Sequence, residues 1–240
     1  MTNMSYTQKL KNKFYSGSEH PYKIFEDTIC AYLNHNATVL DLGCGRDLPV
    51  LRKVETHGLK VGIDIFPMNN HHGVQAIQAD ICKIPLKDET FDIVISRSVL
   101  EHVEYPLKLY NEVHRLLKKD GRFVFLTPNF YDYASIISKL VPNKLHPKLV
   151  SISEGRDEGD VFPAYYKTNT KSSIKKLAQK SGLNIETISM HGQYPCYLMF
   201  NPILFLFGTG YDKLVSNVNI LSFLRGWLLC VLQKNEVDRT

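Results

Sequence analysis

No two cysteines of this chain are spaced as C-x-x-C. Cys30, Cys44, Cys82, Cys196 and Cys230 lie far apart and are odd in number. That spacing argues against a disulfide framework and a zinc site, so no metal is expected and the thiols are read as reduced, in a cytoplasmic protein. A phosphate loop is missing as well, because no Gly-Lys-Ser/Thr occurs. There is no basic run interleaved with aromatics. The lysines behind the net charge of +5 are scattered or sit four apart, as Lys171 with Lys175 and Lys176 with Lys180 do. This spacing marks a solvated helix face rather than a track for nucleic acid, which is not an expected partner. The opening Met1-Thr2-Asn3-Met4-Ser5-Tyr6 lacks the apolar core of an export signal. The most apolar stretch, 194–210, is interrupted by Pro195, Asn201 and Pro202, so no transmembrane span is expected. Internal repeats and low-complexity tracts are absent.

What is present is ordinary globular material: 240 residues, 44% hydrophobic and 22% charged, enough apolar mass for one domain with embellishments. Helical spacing of Ile24, Phe25, Ile29 and Leu33 predicts a helix over 22–33, after the turn signal Glu19-His20-Pro21. A short apolar strand at 38–42 then runs into a glycine turn and an amphipathic stretch, 48–57, read as a helix. Continuous apolar runs at 59–65, 74–78, 91–96 and 121–127 read as buried parallel strands. Residues 106–118 form a helix with Leu107, Tyr110, Val113, Leu116 and Leu117 on one face. Residues 169–180 give another helix, capped by Ser181-Gly182, and 183–189 and 227–232 give two further strands. Alternating strand and helix implies a doubly wound parallel sheet. Two segments break the pattern: an irregular stretch at 129–167, read as a lid or substrate loop, and an apolar excursion at 193–225, helical in part through 202–207 and 211–215. The second fits core packing or a substrate roof; the alternative is an oligomer contact or shallow, peripheral membrane contact.

The chemistry concentrates at strand ends. Gly43 and Gly45, between a strand and the next element, let the backbone approach a nucleoside closely. A dinucleotide fingerprint needs a third glycine at position 48, where this chain has Leu48, so a nicotinamide- or flavin-dependent oxidoreductase loses ground. Asp64, ending the second strand, suits two ribose hydroxyls, with a turn residue before Pro67 as the alternative. Asp80 and Ile81 follow the third strand, placed for an adenine amino group and ring; a plain turn aspartate is the other reading. Ser96-Arg97-Ser98-Val99-Leu100-Glu101-His102 is expected to begin a helix whose free N–H groups receive a carboxylate.

Taken in order, Val39-Leu40-Asp41-Leu42-Gly43-Cys44-Gly45, Gly62-Ile63-Asp64, Gln78-Ala79-Asp80, Phe91-Asp92-Ile93-Val94-Ile95-Ser96, Leu100-Glu101-His102-Val103 and Leu117-Lys118-Lys119-Asp120-Gly121 resemble the motifs of class I S-adenosylmethionine-dependent methyltransferases, and among them the ubiquinone-biosynthesis-like group. The resemblance covers roughly residues 20–130. It implies a Rossmann-like α/β fold with a seven-stranded, mostly parallel sheet whose last strand is antiparallel, filled here by 227–232. It also implies one domain: a cofactor core at 20–130, an insertion at 131–168 after strand five, and an apolar insertion at 193–225 before the last strand. Carried over, it places Asp41, Gly43 and Gly45 around the methionine part of S-adenosylmethionine, Asp64 at the ribose, Asp80 and Ile81 at the adenine, and Ser96 on the sulfonium side, with Cys44, Ile65 and Arg97 as further cofactor-binding residues. Family members often carry a further glycine where this chain has Arg46 or Asp47, which leaves the loop's fine shape open.

The methyl acceptor is not spelled out by these motifs. His102 is the expected base if the acceptor is a hydroxyl, with helix-to-sheet packing as the alternative. Tyr165, Tyr166 and Asn169, and His20 with Tyr22, are placed to touch a substrate. Glu154, Asp157, Glu158 and Asp160 form an acidic loop, read as an acceptor contact or as plain solvated surface. Nucleobase methylation is disfavoured, because Ser96-Arg97-Ser98-Val99 stands where an Asn/Asp-Pro-Pro-Tyr/Phe motif is expected. The aromatic insert favours a small-molecule acceptor: a lipid, a quinone-like ring or a sugar. The 162–169 and 225–227 stretches resemble methyltransferase-like proteins of polysaccharide gene clusters. A catalytically silent protein that binds the nucleoside as scaffold or sensor is the other class of function, and an oligomer is compatible with all of this.

Overall fold

A computed structural model describes residues 5–69, 71–140 and 162–235, the side chains of 137–140 excepted. The strands are β1 (Val39–Leu42), β2 (Lys60–Asp64), β3 (Gln75–Gln78), β4 (Phe91–Arg97), β5 (Leu117–Pro128), β6 (Leu183–His191) and β7 (Trp227–Lys234). The helices are α1 (Tyr6–Tyr15), α2 (Pro21–Tyr32), α3 (Pro106–Leu116), α4 (Tyr133–Leu140), α5 (Lys171–Ser181) and α6 (Pro202–Asn217). The strands form one sheet in the order β3-β2-β1-β4-β5-β7-β6. β1 pairs in parallel with β2 and β4, β2 with β3, and β4 with β5. β7 runs the other way. Its last residue, Lys234, bonds the first carbonyl of β5, at Leu117 (2.8 Å), while Gly226, just before β7, accepts from Asn129, just past β5 (2.8 Å). The expected fold is therefore present.

The strand order reverses between β1 and β4, the switch point beyond whose carboxyl ends open α/β sheets bind their ligands. All four residues of β1 are buried, and Leu109, Tyr110, Val113 and Leu116 form the sunken face of α3, as their spacing predicts. α5 packs on α3. It starts at a reciprocal Thr170–Ser173 capping box and stops at Gly182, whose φ of 77° ends the helix.

Four local expectations change. Residues 48–57 form turns rather than a helix, because Pro49 bars Leu48 from helical angles and Leu48 adopts φ 50°. The chain after β4 makes only a single 3-10 turn, Leu100–His102, and the next α-helix waits for Pro106 at its first position. The 129–167 stretch contains α4. In the apolar excursion the two expected helical pieces are one helix, α6, running through Gly208 and Gly210. A Cβ on Gly208 would meet Pro195 at 2.7 Å, so close packing keeps the glycine there. α1 was not anticipated, although Ser5-Tyr6-Thr7-Gln8 has the S-x-x-Q form of a helix start and the Ser5 hydroxyl accepts from Gln8 N at 3.2 Å.

The chain divides into two compact units. One comprises Tyr22–Thr127, Tyr165–Ser189 and the chain from Leu228, and holds β1 to β4 with nearly all of β5, β6 and β7. The other comprises the chain up to Pro21, Pro128–Ala164 and Met190–Trp227, with α1, α4 and α6. Among the described residues no helix is long and apolar enough to cross a membrane, and no cluster of His, Cys, Asp and Glu is arranged to hold a metal.

Candidate functional site

The site begins where β1 ends. Gly43 turns the chain at φ 69°, and its amide and that of Cys44 both donate to the Ile63 carbonyl (2.8 and 3.1 Å), fastening the loop to β2. A Cβ on Gly43 would stand 2.3 Å from Val99 Cγ2, so packing as well as backbone angle demands glycine. Gly45 also has φ 71°, but a Cβ there would meet nothing nearer than Pro49 Cδ at 4.0 Å. The Gly45 position therefore faces open space. Leu48, at the third-glycine position of a dinucleotide loop, is fully buried beneath Gly62, whose Cβ would come 2.7 Å from Leu48 Cδ2. Cys44 turns its sulfur inward to Met68 Sδ (3.2 Å), and burial pushes its thiol far above the ordinary range. Only its backbone is available to a ligand.

Two carboxylates flank this turn. Asp41 is 2% exposed, and its Oδ2 has no hydrogen-bond partner. Burial raises its pKa to about 7, against the pull of Arg97 and with a push from Asp64. An orphaned buried carboxylate oxygen is rare in a folded protein and calls for a cationic or donor partner. Asp64 is half-buried. Its Oδ2 accepts from Gly45 N (2.9 Å) and its Oδ1 from Phe66 N (3.0 Å), so it holds two turns and keeps further lone pairs on each oxygen.

At the adjoining strand ends, Asp80 is exposed and caps its own turn through Cys82 N (2.8 Å), Ile81 is buried and Ile65 is exposed. Ser96 is fully buried, and its hydroxyl donates to the Leu42 carbonyl (2.9 Å), joining β4 to β1. Arg97 lies 3.2 Å from Glu26 and 4.4 Å above the Tyr22 ring, while the Tyr22 hydroxyl meets Ser98 Oγ at 3.2 Å. These contacts bring Tyr22 to the end of β4. His20 belongs to the other unit, its ring 6.2 Å from that of Tyr194.

The expected helix amides at 96–102 are replaced by a hub that sequence reasoning missed. The Glu101 carbonyl accepts from both Tyr165 N (2.7 Å) and Tyr166 N (3.1 Å), bringing these tyrosines beside His102 from more than sixty positions away. The Glu101 side chain, itself buried, accepts from Thr127 Oγ1 (3.3 Å), which accepts from Asn169 Nδ2 (2.8 Å). Tyr166 sits at φ 52°, a strained angle for a tyrosine. His102 is part-exposed, its Nε2 3.9 Å from Glu101 Oε1. The only sequence signal for the hub was an acid set between Leu100 and Val103 in an apolar turn. Glu154, Asp157, Glu158 and Asp160 lie outside the described residues.

Residues 40–125 match the family described as a methyltransferase domain. The chain is 33% identical to an uncharacterized protein of Methanocaldococcus jannaschii over 50% of this chain and 53% of the other. It is 28% identical to the demethylmenaquinone methyltransferase of Chlamydia muridarum over 45% and 49%. The chain thus spans about half the length of the curated relatives it matches. In fold it is similar to an S-adenosylmethionine-dependent methyltransferase from Mesorhizobium loti, with TM-score 0.57 and 21% identity, over 86% of this chain and 96% of that one.

Proposed function

We infer that the chain is a class I S-adenosylmethionine-dependent methyltransferase, in keeping with the methyltransferase-domain match over residues 40–125, and from that premise that it moves a methyl group from S-adenosylmethionine to a small-molecule acceptor: a hydroxyl, amine or carbon of a lipid, quinone-like or sugar substrate. The observation that carries this reading is the orphaned Asp41 oxygen beside a glycine turn with open space at Gly45. A buried carboxylate that lacks a partner fits a ligand bearing a cationic α-ammonium, and a turn without Cβ atoms fits the close approach of its amino-acid arm. Asp64, with lone pairs to spare, suits the ribose diol; Ile81 and the exposed Asp80 and Ile65 suit the adenosine end. Ser96, committed to Leu42, acts as a strut that holds the ends of β1 and β4 together.

When bound, S-adenosylmethionine supplies an electrophilic methyl with its leaving group built in. The protein's work is then to place acceptor and donor in line and to exclude water. His102 is part-exposed beside the Glu101 hub, a position from which an imidazole can take the proton of an acceptor hydroxyl. Tyr165 and Tyr166 would bracket the acceptor, their backbone fixed by Glu101. Residues 20–130 form the cofactor core of this reading, and 131–168 its substrate insertion. Incubation with methyl-labelled S-adenosylmethionine and fractionated cell extract tests it. Label appearing in one small-molecule fraction, and lost with Asp64→Ala, is expected; uptake of the donor without label in any fraction would leave a silent binding protein instead.

A further inference from the structure

The end of β4 carries a cation with more donors than the fold uses. Arg97 closes β4, two residues beyond Ile95, which is the register partner of Asp41 on β1. Side chains alternate along a strand, so Arg97 stands on the same side of the sheet as Asp41, at the next position toward the carboxyl end. Burial lifts the Asp41 pKa to about 7, and Arg97 is the charge that pulls against it. The guanidinium is held from two sides: its Nη1 donates to Glu26 Oε1 at 3.2 Å, and it sits 4.4 Å over the Tyr22 ring. The Arg97 and Glu26 side chains are only 15% and 16% exposed, so the pair is fixed rather than solvated.

Glu26 does not exhaust that cation. Lys53 Nζ donates to both Glu26 oxygens at 2.8 and 2.9 Å, so Glu26 offers Arg97 only a shared charge. The bond to Glu26 also leaves further N–H groups of the guanidinium fork for another partner. A helix whose amides would receive a carboxylate is missing at this point, because the chain after β4 makes only one 3-10 turn. Resting on the reading of this site as one for an S-adenosyl ligand, we propose that Arg97 is its carboxylate clamp, taking the α-carboxylate of the amino-acid arm while Asp41 takes the α-ammonium. An acid and a guanidinium on one face of adjacent strands match the zwitterion of an α-amino acid, and a guanidinium fork meets a carboxylate in a charge-assisted, paired contact. Glu26 and Tyr22 are positioning residues, which hold the fork in place. The clamp makes the site select for the amino-acid arm as well as for the nucleoside.

The test is calorimetric titration of the full chain at neutral pH with three probes: S-adenosylhomocysteine, its decarboxylated analogue, and methylthioadenosine, which lacks the whole arm. The wild type should bind S-adenosylhomocysteine roughly tenfold or more tighter than the decarboxylated analogue. Arg97→Met should abolish that preference, weakening S-adenosylhomocysteine by about the same factor while leaving the decarboxylated analogue and methylthioadenosine as tightly bound as before. Arg97→Lys, which keeps the charge without the fork, should fall between the two and covers the case in which Arg97→Met does not fold. The assignment is overturned if the wild type binds S-adenosylhomocysteine and the decarboxylated analogue equally, or if both Arg97 variants keep its preference between them. Failure of the wild type to bind any of the three probes would instead overturn the S-adenosyl reading of the site, and this assignment with it.

Discussion

The Gly45 amide donates to Asp64 Oδ2 at 2.9 Å, so the acid that closes β2 also shapes the glycine turn that closes β1. The two readings of Asp64 from sequence, sugar ligand and turn former, are then not rivals, because one carboxylate has lone pairs for both. Asp64→Ala should lower affinity for S-adenosylhomocysteine by about a hundredfold, from loss of charge-assisted bonds and of the turn they hold. It should also lower unfolding free energy by about 1–2 kcal/mol in urea melts. Unchanged affinity would remove Asp64 from the site.

The two glycines of the turn separate stability from binding. Gly43→Ala sets a methyl against Val99 at a positive φ and should cost about 2 kcal/mol or more of stability. Gly45→Ala carries only the backbone strain, about 1 kcal/mol, but its methyl enters the open space and should weaken cofactor binding more than the melt suggests. Thermal melts with and without S-adenosylhomocysteine check the pair; equal effects in both assays would mean that Gly45 does not face a ligand.

Much of this arrangement could be read along the chain. The continuous apolar runs fix the strands, and Asp41, Gly43, Gly45 and Asp64 stand at the ends of β1 and β2 where their motif puts them. What failed was local. The 48–57 stretch has helical spacing of apolar residues, yet the Leu48-Pro49 pair overrides it, and Ser96-Arg97-Ser98 spends its polarity on Leu42, Glu26 and Tyr22 rather than starting a helix. The Glu101 hub was invisible for a different reason. Its partners Thr127, Tyr165, Tyr166 and Asn169 are distant in sequence, and only the fold unites them.

That hub gives a third expectation. Thr127→Val removes both the acceptor of Asn169 and a donor to Glu101 inside the core, and should cost about 1–3 kcal/mol. His102→Ala, at a part-exposed position, should leave the melt nearly unchanged. With a hydroxyl acceptor it should lower kcat by about a hundredfold or more, with little change in cofactor affinity. A kcat within about twofold of wild type would return His102 to a packing role.

The buried Asp41 makes stability depend on pH. Between 3.8 and about 7 the folded, ligand-free chain holds a proton there that the unfolded chain has released. Stability from this group is therefore greatest at low pH and falls as pH rises across that window, by about 4 kcal/mol in all. Asp132, raised to about 6 by burial, and Asp212, also raised, add slope of the same sign. Asp41→Asn should flatten part of the dependence in urea melts taken across the window; an unchanged slope would show that Asp41 ionises freely.

A cation seated on Asp41 favours its ionised form, so ligand binding near neutral pH must expel that proton. Calorimetric titration of S-adenosylhomocysteine at pH 6, in buffers of different ionisation enthalpy, reads this directly. The prediction is binding with net proton release that disappears in Asp41→Asn. No heat of binding at any pH, or binding whose proton count is the same in the variant, would contradict the placement of an S-adenosyl ligand at the ends of β1 and β2.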